Sequence, residues 1–126
     1  AEGHGLERLV GKLYEERSRK ALPGFSLTQR ISGYWDRGDT ELDLVALDET
    51  RRIVRLANIK RSPEKLLNSE RAFLGHVERF LDAFPHLREW QVERAAISVA
   101  LSREERAELV RRGFHAEDLM DLLPEV

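Results

Sequence analysis

Glu41-Leu42-Asp43-Leu44-Val45-Ala46-Leu47 and Ile53-Val54-Arg55-Leu56-Ala57-Asn58-Ile59-Lys60, joined by Asp48-Glu49-Thr50-Arg51, are the stretch on which the fold turns. Aliphatic and β-branched residues bounded by turn formers read as two strands of a hairpin. Side chains alternate along a strand, so Glu41, Asp43, Val45 and Leu47 share one face, and Val54, Leu56, Asn58 and Lys60 share another. Folding about Thr50-Arg51 pairs Leu47 with Val54, Val45 with Leu56, Asp43 with Asn58, and Glu41 with Lys60. A slip of two residues would keep the faces and change only the partners. The turn end of the paired face is apolar, while its open end carries two carboxylates, an amide and an ammonium. Polar groups converging beside an apolar floor are the pattern of a ligand site; strands leaving a core also turn polar at their ends.

Upstream, Leu6, Leu9, Val10, Leu13 and Tyr14 recur at helical spacing and predict a helix over 6–19, ended by Leu22-Pro23-Gly24. Phe25 to Tyr34 reads as a strand and Asp36-Arg37-Gly38-Asp39 as a turn. Downstream, Ser62-Pro63 starts a helix. Leu66, Phe73, Leu74, Val77, Phe80, Leu81 and Phe84 then hold one face of a single long helix up to Pro85. Trp90 to Val99 predicts a fourth strand, apolar on both faces from Ala95 onward and therefore central. Ser102 and Glu105 form a capping box, and Arg111-Arg112-Gly113 ends that helix. Asp118 to Leu123 is a short apolar segment, helix or strand. A meander followed by a crossover helix predicts an α/β domain: a mixed four- to five-stranded sheet flanked by helices.

Composition narrows the function. A chain of 126 residues predicts one domain, and with no cysteine it has no disulfides, thiolate zinc sites or cysteine nucleophile. The lack of cysteine suits a reducing, cytoplasmic compartment. No apolar run reaches the ~18 residues of a membrane span, and 1–5 carry no signal-peptide core. A net charge of −2 excludes coating nucleic acid through bulk charge alone. The charge is uneven: 36–49 is acidic and 51–65 basic, a pattern that neighbouring segments would neutralise.

Two glutamates stand out. Glu70 follows Leu66 by four residues and precedes Phe73 by three, in the middle of the apolar stripe. A carboxylate there needs an arginine, a metal, or a place at the domain edge, because uncompensated burial costs several kcal/mol. Glu7 flanks the stripe of the first helix.

Gly5-Leu6-Glu7, the run from Gly33 to Leu47, and Ala57-Asn58-Ile59-Lys60-Arg61 resemble the PD-(D/E)XK nuclease superfamily. They are more closely similar to the C-terminal domain of unknown function that follows a P-loop ATPase module in many archaeal and bacterial proteins. The similarity covers most of the chain, Gly75-His76-Val77 and Arg79-Phe80-Leu81 included. It implies an αβββαβ restriction-endonuclease-like core and a P-loop ATPase in cis, and it leaves homo-oligomers open. It also implies magnesium- or manganese-dependent phosphodiester cleavage or nucleic-acid binding. Residue by residue it makes Asp43 the metal ligand, Lys60 the catalytic ammonium and Glu7 an auxiliary ligand. The acid of that motif is Asn58 here, so the site is either degenerate or regains its acid from the following helix, with Glu70 the first choice and Glu64 the second. The other class the resemblance allows is a non-catalytic interaction or regulatory module of the ATPase.

Other signals carry less. Arg37-Gly38-Asp39 spells an integrin-recognition tripeptide in a chain without secretion features. Residues 5–13 lack the glycine spacing and the hydroxyl of a phosphate-binding loop. His4, His76, His86 and His115 show no metal-ligand spacing and read as solvated or structural. Trp35 and Trp90 read as packing residues.

Overall fold

Every residue from Ile53 to Ile59 is buried, and this strand, β5, is the centre of the sheet. The computed structural model describes residues 4–20, 29–31, 34–35 and 41–123. The main sheet also contains β1 (Gln29–Ile31), β4 (Leu44–Asp48), β6 (Gln91–Ser98) and β7 (His115–Asp118), in the order β1-β4-β5-β6-β7. β4 runs antiparallel to both β1 and β5, whereas β6 and β7 are parallel to β5. Leu47 faces Val54 and Val45 faces Leu56, the register read from the hairpin. The fold is α/β, a mixed sheet flanked by helices.

Alternation along β4 and β5 sends neighbouring residues into two different cores. Val45, Leu47, Val54 and Leu56 meet Leu66 of α2 (Pro63–Asn68), Phe73, Val77 and Phe80 of α3 (Glu70–Ala83), and Leu109 of α4 (Arg103–Arg111). Leu44, Ala46, Ile53, Ala57 and Ile59 meet Leu6, Val10, Leu13 and Tyr14 of α1 (His4–Arg19), and Leu122 of α5 (Leu119–Leu122). Each large apolar side chain buried in this way contributes roughly 1.5–3 kcal/mol. The capping box of α4 is formed, with Glu105 N–H on Ser102 Oγ at 3.1 Å and Ser102 N–H on Glu105 Oε1 at 2.8 Å. Gly113 (φ 92°) closes α4, and the N–H of Phe114 returns to Leu109 O at 3.0 Å.

Three sequence expectations need correction. The strand expected over Phe25–Tyr34 is divided where it is described: β1 joins the main sheet, while β2 (Tyr34–Trp35) pairs with β3 (Glu41–Leu42) in a separate ladder. Leu22-Pro23-Gly24 and Asp36-Arg37-Gly38-Asp39 lie outside the described residues. The strand expected over Glu41–Leu47 breaks at Asp43 into β3 and β4. The long helix breaks at Ser69, whose Oγ donates to Lys65 O at 2.7 Å. A side chain bonding back onto the preceding turn competes with the helical ladder. Beyond these, His115–Asp118 is a strand too polar for alternation to reveal, and the segment after it, read as helix or strand, is a helix capped by Asp118.

Candidate functional site

Asp43 occupies the bend between β3 and β4, and its Oδ2 accepts the backbone N–H of Ile59 at 2.8 Å. The carboxylate is thereby fixed across the open end of the hairpin. Lys60 follows β5 directly; its N–H donates to Ile97 O at 3.0 Å, so its backbone stays on the sheet. Asp43, Asn58 and Lys60 line one cavity with Glu41, and Ser69 and His76 close it from the helical layer. The cavity holds about 100 Å³. That is room for ordered water, a cation or a phosphate group.

Glu7, in the first turn of α1, is hydrogen-bonded to Asp43. A contact between two carboxyls requires one shared proton, since an ionised carboxylate only accepts. Burial pushes the Asp43 carboxyl above the usual carboxylate range; the Ile59 N–H and the Lys60 ammonium pull it back, and Glu41 pushes it further up. Three carboxyl groups and one ammonium therefore act on this corner. The donor set of carboxylate and amide oxygens is hard, the kind that suits magnesium or manganese. Among the described residues no group of three or more His, Cys, Asp or Glu forms a metal cage.

No family model, curated protein or solved structure matches this chain. The site therefore stands on its own geometry.

Glu70 is not in it. The break at Ser69 starts a new helix at Glu70, and the Arg112 guanidinium donates to Glu70 Oε1 at 2.5 Å. The residue lines a different depression, with Leu67 and Leu74. The arginine partner is the alternative that holds, so Glu70 does not replace the missing acid. Glu64 is exposed in the first turn of α2 and does not line the cavity either.

Two residues were missed by sequence reasoning. Ser69 orients Asn58. A hydroxyl has one proton, and Ser69 spends it on Lys65 O, so toward Asn58 it accepts, from Nδ2 at 2.9 Å. The amide is thus assigned with Oδ1 left as an acceptor. His76 lines the cavity with its Nδ1 3.2 Å from the Glu41 N–H. Its spacing from Phe73 and Phe80, three residues before and four after, was the available signal.

A second polar cluster lies on the opposite face of the sheet. Arg55 projects toward α1 and donates to Glu93 Oε1 through Nε at 2.9 Å and Nη2 at 2.7 Å, and to Tyr14 Oη through Nη1 at 3.0 Å. Tyr14 donates in turn to Glu117, whose other oxygen is 3.3 Å from His115 Nε2. Burial raises the Tyr14 hydroxyl far above its ordinary value, so it stays a donor. Burial alone would raise Glu117 as well, but His115, Tyr14 and Arg55 together hold it below the usual range.

Proposed function

We propose that this chain is a nuclease-like domain that binds nucleic-acid phosphate groups together with one magnesium or manganese ion, with cleavage blunted by Asn58. One observation carries the reading: Asp43, Asn58 and Lys60, named from the hairpin, line a single cavity, and Glu7 is hydrogen-bonded to Asp43. Magnesium typically takes one or two carboxylates and completes its shell with water and substrate oxygens. Asp43 and Asn58 Oδ1 fit that demand, with Glu7 behind Asp43 and outside the cavity lining, and they fit a weakly held ion better than a preformed cage. Once bound, the ion would polarise a phosphoryl oxygen and lower the pKa of a coordinated water.

The chain's own residues supply the rest. The Lys60 ammonium offsets charge on the phosphate. Ser69 holds Asn58 with its oxygen free. Asn58 offers an oxygen without a charge, which weakens the ion's hold and the activation of water. In this reading the domain works in the cytoplasm beside a P-loop ATPase module in cis.

The test is a plasmid-nicking and duplex-binding assay with magnesium or manganese, on the natural protein, Asp43→Ala and Asn58→Glu. The expected result is metal-dependent duplex binding by the natural protein, lost in Asp43→Ala, with nicking at least tenfold faster in Asn58→Glu. Absence of metal-dependent binding and of nicking in every variant would overturn the reading and favour a regulatory module of the ATPase.

A further inference from the structure

We infer that His76 is a phosphate-contacting residue of this cavity, held in one tautomer so that its Nε2–H donates to a non-bridging oxygen of the bound phosphodiester. The inference rests on the reading just proposed and adds to it a neutral donor that the hairpin motif does not contain.

His76 Nδ1 faces two groups that only donate. The backbone N–H of Glu41 lies 3.2 Å away, and Nη2 of Arg79 lies 3.3 Å away on the same helix. A backbone amide has no acceptor capacity at nitrogen, and a guanidinium has none at all. Nδ1 is therefore an acceptor, and the ring proton sits on Nε2. His76 lines the same cavity as Lys60, and no hydrogen bond to Nε2 is made by the described residues. With Nδ1 committed to β3, Nε2–H is the polar atom left for a ligand.

The cavity divides by chemistry. Asp43 and Asn58 offer oxygens, which suit a cation; Lys60 and His76 offer N–H groups, which suit an anion. A phosphodiester beside a divalent ion needs both. The ammonium offsets charge but orients poorly, being a point charge on a flexible stem. A pinned imidazole is a directional donor. Its anchor on Glu41 also ties α3 to the small β2–β3 ladder.

The experiment measures two quantities on the natural protein, His76→Ala and His76→Gln: manganese affinity by calorimetry, and manganese-dependent binding of a phosphorothioate-protected duplex by fluorescence anisotropy. Manganese affinity should agree within twofold across the three. Duplex affinity should fall at least tenfold in His76→Ala and stay within threefold in His76→Gln, whose amide can accept from Glu41 and still donate. Unchanged duplex affinity in His76→Ala overturns the inference while leaving the parent reading intact. Loss of manganese affinity in that variant also overturns it, because the residue would then belong to the metal shell or to the fold. Failure of the natural protein to bind manganese and duplex removes the parent reading, and this inference with it.

Discussion

The two faces of the central sheet each hold a cluster of ionisable groups, and the clusters are built in opposite ways. Beneath α1, Arg55 satisfies Glu93 and Tyr14, and Tyr14 satisfies Glu117. At the open end of the hairpin, Asp43 is held up by burial and by Glu41, while Ile59 N–H, Lys60 and a hydrogen bond from Glu7 pull it back. Buried polar groups that satisfy one another rigidify a fold, and a carboxyl with a perturbed pKa in a cavity is a candidate for function. The contrast separates a structural network from a site, although both place charge beside a hydrophobic core.

Breaking the satisfied cluster should have the largest effect. Arg55→Ala leaves two carboxylates and a tyrosine hydroxyl without their shared donor, and should cost about 3–5 kcal/mol in urea unfolding. Tyr14→Phe removes a single donor and acceptor, and should cost about 1–3 kcal/mol. Tyr14 lies two helical turns after Glu7 on α1, so its anchor also sets where Glu7 meets Asp43. The Asp43 cluster should respond with the opposite sign. Asp43→Asn keeps an acceptor for the Ile59 N–H and removes a buried charge that Glu41 also disfavours, so the metal-free protein should gain about 0.5–2 kcal/mol while losing its response to metal.

The pH dependence sharpens the same contrast. Glu117 is held below its ordinary value of 4.5, so the stability it contributes is present above that pH and is lost as the pH falls further. Asp43 is raised above 3.8, so the folded protein retains a proton that the unfolded chain has released. Its presence therefore lowers stability progressively as the pH rises from 3.8 through its folded value. Acid unfolding followed by circular dichroism should lose the first dependence in Glu117→Gln and the second in Asp43→Asn.

The hairpin was legible because its information is local: alternation and turn residues set the register that brings Asp43, Asn58 and Lys60 together. Other features depend on contacts between distant segments. The helix break at Ser69 is supported by Asn58, eleven residues earlier, and periodicity alone ran straight through it. The same continuity put Glu70 in the apolar stripe, where the real helix start turns it to Arg112. β7 is four residues of mostly polar character, and its pairing with β6 is a contact between distant segments. Arg55, set between Val54 and Leu56 in a buried strand, was a signal of the second cluster that went unused.

The Asp43 corner is proposed to bind a divalent cation. A manganese titration followed by thermal unfolding, on the natural protein and Asp43→Asn side by side, tests it most directly. The account predicts a saturable rise in melting temperature for the natural protein and none for the variant. No rise in either, or an equal rise in both, would contradict it.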